Sequence, residues 1–348
     1  MRIHKDFIGG NIKVERINND TVYLKNELRD TEGDWFYWAF CVEGAASKTV
    51  TFKLEANRLG YFSPALSNDL INWHWLGEAD GDSFTYTFAE KEDKVYFAHS
   101  MLYHPVRFVK LAKNKGLNIQ TLCKSKLGRD VPYVTLGEGS KTVILTARHH
   151  ACESTGSYVL EGVLCELVDN PIEKTKIICV PFVDYDGVLN GDQGKSRRPH
   201  DHNRDYPRDG ESIYSSTAAI RDIAERNSVY MAFDFHSPWH KGDINDRVFI
   251  VQPNPDKIYE CKRFGDFLEE CITAESLKYE TKNDYPPDFG WNRSDSPTCS
   301  RYMLEKGAEL AFSLETAYFG DADNVFSAER AIELGRCVAK AIRKYIII

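Results

Sequence analysis

The chain has 348 residues, 42% of them hydrophobic and 28% charged, with a formal net charge of −8. That length exceeds what one core needs and suggests two domains, while the balance excludes a disordered or fibrous chain. The acidic excess argues against general nucleic-acid binding, and no stretch approaches the roughly 18 apolar residues of a membrane span. The first ten residues, Met1 to Gly10, carry no apolar run of signal-peptide length, so a cytoplasmic location is expected. Nine cysteines without a C-x-x-C pair argue against a disulfide framework or a zinc knuckle. Most, such as Cys165 and Cys179 inside apolar runs, are expected to be reduced core residues.

Up to about Leu111 the pattern is all-β. Trp35-Phe-Tyr-Trp-Ala-Phe40 puts aromatics on both faces, as a central strand of a sandwich does. Val50, Phe52 and Leu54 alternate with polar residues, and so do Phe84, Tyr86 and Phe88. Tyr96–His99 and Val106–Val109 read as further strands. The expected product is a small antiparallel β-sandwich over residues 1–112.

From residue 113 to 348 strands and helices alternate, which predicts an α/β domain with a mixed sheet. Strands are expected at Thr142–Ala147, Lys176–Val183, Val229–Phe235, Val248–Gln252 and Leu310–Leu314. Helices are expected at Thr155–Val168, Ser216–Arg226, Lys257–Glu275 and Ser327–Tyr345, and Asn283–Gly290 reads as a loop. Ligand-binding residues of such sheets collect beyond the carboxyl ends of strands, and His150, Asp184, His236 and Glu315 all fall there.

Three stretches carry chemistry. In the first, Thr146-Ala-Arg-His-His-Ala-Cys-Glu153, His150 and Glu153 lie three residues apart at the mouth of a helix and can share a divalent ion. Alone the pair is weak, since a polar helix start would look the same. His236, where the run Ala232-Phe-Asp-Phe ends on an imidazole, completes a His2Glu set that leaves a fourth zinc position open for water. The second stretch, Gly187 to Tyr206, places Lys195, Arg197, Arg198 and Arg204 in a Gly- and Pro-punctuated loop of an otherwise acidic chain. A solvated charged loop is the bland alternative. The chemical one is that Asn203 and Arg204 hold a substrate carboxylate while another arginine stabilises an oxyanion. In the third, Phe312-Ser-Leu-Glu315, an isolated carboxylate at the end of an apolar strand is costly to bury without a partner or a role. Beside a zinc-bound water it could serve as general base; otherwise it forms a structural salt bridge.

Nearly the whole chain resembles one family, the funnelin zinc carboxypeptidases, and within it the cytosolic carboxypeptidase-like branch. Ala147-Arg-His-His-Ala-Cys-Glu-Ser-Thr-Gly-Ser-Tyr158 is similar to that branch's A-R-x-H-P-x-E-x-x-x-S-x signature, which carries its first two zinc ligands onto His150 and Glu153. Asp184-Tyr-Asp-Gly-Val-Leu-Asn-Gly191 resembles N-P-D-G-V-x-x-G, and Asp201-His-Asn-Arg204 resembles D-L-N-R. Phe235-His-Ser237 carries the last zinc ligand, and Ser313-Leu-Glu-Thr316 resembles the T-L-E strand end with the catalytic glutamate. Asp34–Tyr37 and Tyr96–Tyr103 resemble the β-sandwich that precedes the catalytic domain. The resemblance implies one Zn2+ per chain on His150, Glu153 and His236, with Glu315 as base and Asn203 and Arg204 on the carboxylate. The implied substrate is the C-terminal peptide bond of a peptide or protein.

Three departures stand out. Ala151 replaces the usual proline. The position of the family's oxyanion arginine falls on Gly194, which passes that role to Arg197 in preference to Arg198. The family's mobile pocket tyrosine has Tyr285 and Tyr302 as its nearest candidates, because Trp291–Arg301 contains no Tyr. Cys299-Ser-Arg301 resembles the pocket-floor arginine region, and an Arg301 facing the pocket favours an acidic last residue. The alternatives are an amidase or deacylase on the same fold, acting on N-acyl amino acids or peptidoglycan fragments, and a non-catalytic module that binds C-termini. The complete His2Glu set with Glu315 argues against the second.

Overall fold

The structure, a computed structural model, describes residues 1–55, 57–77 and 81–347. Among the described residues nine strands come first: β1 (Arg2–His4), β2 (Lys13–Asn18), β3 (Thr21–Lys25), β4 (Ala39–Glu43), β5 (Thr49–Lys53), β6 (Ala65–Ser67), β7 (His74–Trp75), β8 (Ser83–Thr87) and β9 (Lys94–Ala98). They form two facing sheets, ordered β1-β4-β9-β6-β7 and β2-β3-β5-β8. Every pairing is antiparallel except β3 with β5. Between the sheets Trp38, Phe40, Val42, Phe52, Phe84 and Phe97 make a closed aromatic core. The alternation of a strand sends Tyr37 and Ala39 to the opposite face, where with Ala65 and Ala98 they join the core of the C-terminal half. The central strands are therefore buried on both faces. In the aromatic run read as one strand over 35–40, β4 begins only at Ala39; Trp38 adds a single bond to the ladder, its carbonyl accepting from the His99 amide at 2.9 Å.

The expected strand at Val106–Val109 is helical instead, part of α1 (Pro105–Lys115). His104 caps it by accepting from the Val106 amide, Pro105 opens its first turn, and Gly116 closes it in the left-handed region. These end signals outweigh the β-branched content of a four-residue window. The remaining elements are β10 (Gln120–Lys124), β11 (Asp130–Leu136), β12 (Lys141–Ala147), α2 (Thr155–Asp169), β13 (Thr175–Val180), α3 (Tyr185–Asn190), α4 (Ser215–Arg226), β14 (Val229–His236), β15 (Phe249–Val251), α5 (Ile258–Cys271), α6 (Cys299–Glu305), β16 (Leu310–Glu315) and α7 (Ala328–Ile347). Their sheet has the order β10-β11-β13-β12-β14-β16-β15. Strands β13, β12, β14 and β16 run parallel, with antiparallel pairs at both edges, so the sheet is mixed as expected.

Helix α2 is buried on nearly every side, which matches its apolar sequence. Its start is pressed onto the end of β14: a Cβ at Gly156 would lie 2.9 Å from the Phe235 carbonyl carbon, so only glycine lets the two backbones approach. Thr155 Oγ1 locks the same point, donating to Thr316 O at 2.8 Å and sharing a hydrogen bond with Ser237 Oγ at 2.5 Å. The helix mouth and the ends of β14 and β16 thus form one rigid corner. All nine cysteines are unbridged, and Cys165 and Cys179 are buried. Among the described residues no helix is long and apolar enough to cross a membrane.

Candidate functional site

Strands β12, β14 and β16 are neighbours, and their carboxyl ends deliver the site. His236 is the last residue of β14 and lies in register with Glu315, the last of β16. His150 follows β12 by three residues, across a turn in which Arg148 takes a φ of 61°. That left-handed conformation is unfavourable for a side chain this large. It is held by the buried guanidinium, which donates to Ala151 O at 2.9 Å and Tyr103 O at 3.3 Å.

His150, Glu153 and His236 are buried, and one potential ligand atom from each lies within 4.8 Å of the others. His150 Nδ1 is 2.8 Å from Glu153 Oε1, and His236 Nδ1 is 2.7 Å from Glu153 Oε2. Each imidazole has a carboxylate behind it: Asp234 Oδ2 is 2.5 Å from His236 Nε2, and Asp201 Oδ1 is 3.4 Å from His150 Nε2. This set fits a zinc ion. Two imidazoles and a carboxylate converge, and acids on the far nitrogens would fix the tautomers and raise ligand basicity. Charge points the same way. Burial would lower the proton affinity of His236, but Asp234 and Glu153 raise it well above the usual imidazole range. Burial would likewise raise Glu153, yet His150, Lys195 and His236 hold it well below the usual carboxylate range. A place where acids force a cation onto imidazole is a place that accepts a metal cation. A second set, His149, Asp234 and His236, is equally compact. Its His149 is already committed on both nitrogens, to Asp234 at 2.8 Å and Tyr206 Oη at 2.7 Å, so it braces the corner.

Glu315 stands at the base of a cleft of about 460 Å3 that His150 and His236 also line. Its Oε2 is buried and has no hydrogen-bond partner among the described residues. Burial pushes its pKa up to about 7; His236 pulls against that shift and Glu153 adds to it. An unpartnered carboxyl that titrates near neutrality beside three convergent ligand atoms can take up and release a proton.

Asn203 and Arg204 line the cleft. The Asn203 carboxamide is engaged there, accepting from the Cys299 amide at 3.0 Å and lying 3.1 Å from His236 Nε2. Arg204 donates to Asn203 O at 2.9 Å. Arg301 also lines the cleft, buried and held by Pro253 O at 2.9 Å, Thr298 Oγ1 at 3.2 Å and Asn292 Oδ1 at 2.5 Å. Burial, then repulsion from Arg204, lowers its pKa to about 10. Among the described residues no carboxylate stands within ion-pair distance of Arg204 or Arg301.

Arg197 is elsewhere. Its guanidinium is spent on Asp184 at 2.6 Å, Asp30 at 3.0 Å and Asp192 at 3.2 Å, and it does not line the cleft. Arg198 is exposed and pairs with Glu32. The cation that does reach the ligand triad is Lys195, with Nζ 3.3 Å from both His150 Nδ1 and Glu153 Oε1. Of the tyrosines considered, Tyr285 lines the cleft and stacks on Trp291 at 5.0 Å, whereas Tyr302 turns away to Glu225 at 3.0 Å. Sequence reasoning passed over Asp234 and Trp35. Asp234 carried a readable signal, an isolated acid inside the buried run Ala232-Phe-Asp-Phe. Trp35 carried none, since it reaches the cleft only because the two halves pack together.

No family model matches the chain. It is 24% identical to an uncharacterized protein of Zymomonas mobilis over 97% of its own length and 95% of that protein's. It is 24% identical to human cytosolic carboxypeptidase 2 over 64% of its length, a region that spans 28% of that longer protein. Among solved structures, a metallo-carboxypeptidase from Burkholderia cenocepacia superposes with a TM-score of 0.80 at 20% identity, over 99% of this chain and 98% of that one. At that identity the likeness is one of fold, and the chain has the metallocarboxypeptidase fold.

Proposed function

We propose that the protein is a zinc metallocarboxypeptidase that removes the last residue of a peptide or protein. The observation that carries this reading is Glu315, a buried carboxyl with one free oxygen, set beside the His150, Glu153 and His236 ligand atoms at the base of a cleft. His150 Nδ1, His236 Nδ1 and the Glu153 carboxylate would hold one ion. Bound there, zinc supplies a Lewis acid and lowers the pKa of a coordinated water. Glu315 accepts the proton from the attacking water and returns it to the departing amine, a task suited to a pKa near neutrality. Arg204, without a carboxylate of its own, takes the terminal carboxylate, with Asn203 orienting the contact. Arg301 lies deeper, lacks an acidic partner and has three fixed hydrogen bonds, which suits it to an acidic last side chain. The N-terminal sandwich, taken as a domain up to about residue 112, contributes Trp35 to the rim.

The test is a matched set of peptides ending in a free carboxylate, in an amide, or in acidic and neutral last residues, with elemental analysis of the protein. One zinc per chain and cleavage confined to free carboxylates are expected, fastest for an acidic end. Equal cleavage of the amidated set overturns the exopeptidase reading in favour of a deacylase or endopeptidase.

A further inference from the structure

Lys195 reaches the triad because its loop is held from outside the C-terminal half. The Asp30 carboxylate accepts from the Gln193 and Gly194 amides at 2.9 and 2.8 Å. The Gln193 side chain accepts from Tyr37 N at 2.9 Å and donates to Tyr37 O at 2.9 Å and Glu27 O at 3.1 Å. Thr31 Oγ1 donates to Lys195 O at 2.5 Å, and the Glu32 amide donates to Ser196 O at 3.0 Å. Arg197 closes the clamp by tying Asp30 to Asp184 and Asp192. Residues 27–37 therefore bind residues 192–197 as a template binds a strand.

The clamp has a consequence for which side chain can face the metal centre. Gly194 sits at φ +78°, and a Cβ there would come within 2.1 Å of the Ala151 amide nitrogen. No side chain fits at that position. The next residue, Lys195, extends into the cleft along the Trp35 ring, its Nζ 5.4 Å from the ring centroid. Cation and ring attract at such a distance, and the indole shields the ammonium from water on that side.

We propose that Lys195 is a catalytic residue, the cation that stabilises the negative charge developing on the scissile carbonyl oxygen, and that Asp30 is its positioning residue in the N-terminal half. The inference rests on the zinc carboxypeptidase reading. An ammonium is a compact point charge with three donors, so it can meet an oxyanion without the planar fit that a guanidinium needs. Removal of one such donor costs roughly 100- to 1,000-fold in turnover.

The experiment compares wild type with Lys195→Met, Lys195→Arg, Asp30→Asn and the Lys195→Met/Asp30→Asn double variant. It reads zinc content, kcat, KM, and calorimetric affinity for a phosphinic peptide, whose tetrahedral oxygens imitate the transition state, and for a free product amino acid. Lys195→Met should keep one zinc per chain and a KM within a few-fold of wild type, while kcat and phosphinate affinity fall together by roughly 100- to 1,000-fold. Product affinity should hold, and Lys195→Arg should recover part of the loss. Asp30→Asn should lower kcat alone yet add nothing in the Lys195→Met background, which a general loss of stability would not do. Wild-type kcat and phosphinate affinity in Lys195→Met overturn the proposal, as does loss of its zinc. An Asp30→Asn effect of equal size in both backgrounds overturns the positioning role. Failure of the underlying reading shows separately, as a wild type without zinc or peptidase activity.

Discussion

On the floor of the cleft His150, Glu153, His236, Asp234 and Asp201 stand within 3.4 Å of one another as imidazole–carboxylate pairs, and Lys195 joins them at 3.3 Å. On the wall, Arg204 and Arg301 are held, among the described residues, only by uncharged groups. Arg197, seven residues before Arg204, pairs with three carboxylates, one of which, Asp192, it shares with Arg29. A buried guanidinium with acids around it is spent on structure, whereas one left without them keeps a desolvated charge that an incoming anion can satisfy. On the proposed function, the floor holds a cation and the wall receives a carboxylate.

Two variants of the floor should separate holding a metal from doing chemistry, and they carry the largest effects. His150→Ala removes a ligand, so elemental analysis should find the zinc gone and activity with it. Glu315→Gln keeps the shape and removes the base; zinc should remain while kcat drops roughly 100- to 10,000-fold. Unchanged metal in the first variant, or lost metal in the second, would redraw the boundary between ligands and base.

The floor was also the part most legible in the sequence. His150, Glu153, His236 and Glu315 each follow an apolar strand run, and the parallel order of β12, β14 and β16 brings those ends together. Local pattern plus one topological rule sufficed. Of the elements missed, α3 and α6 run only 6 and 7 residues, β10 and β11 lie at the sheet edge with little buried surface to set a period, and α1 is marked by its end signals in place of a period. Arg197 was misplaced because the text of a loop does not say which cation meets an acid 167 residues away, as it does at Asp30. The requirement for glycine at 194 arises from the Ala151 backbone, and the entry of Trp35 from the packing of two halves; neither leaves a local trace.

The wall is sharpened by its two free arginines. A charge-assisted contact to a carboxylate is worth about 1.5–3 kcal/mol, so Arg204→Met should raise KM roughly 10- to 100-fold for every free-carboxylate peptide. Arg301→Met should act selectively, weakening peptides with an acidic last residue by a smaller factor and leaving neutral ones alone. If both variants behave alike across the peptide set, the division of labour between the two arginines is wrong.

The smallest effect concerns how the wall is tied to the sheet. Asp284, next to Tyr285 of the cleft lining, accepts from the Ile250 amide at 2.9 Å and from Tyr279 Oη at 2.9 Å, and no cation pairs with it among the described residues. Burial raises its pKa from 3.8 to about 7; the Ile250 and Tyr279 hydrogen bonds oppose that shift without cancelling it. The folded state therefore keeps a proton that the unfolded chain has released over the interval from about pH 4 to pH 7. Stability contributed by this group is full below that interval and is lost as pH rises through it, by at most about 4 kcal/mol. Asp284→Asn keeps a carbonyl acceptor for Ile250 and cannot ionise. Thermal unfolding of the two proteins, compared at each pH so that other titrations cancel, should show the variant gaining on wild type by a few degrees between pH 5 and pH 8. A difference that stays constant across that range would mean that Asp284 is ionised throughout, and that the wall, like the floor, pairs its buried acid with a cation.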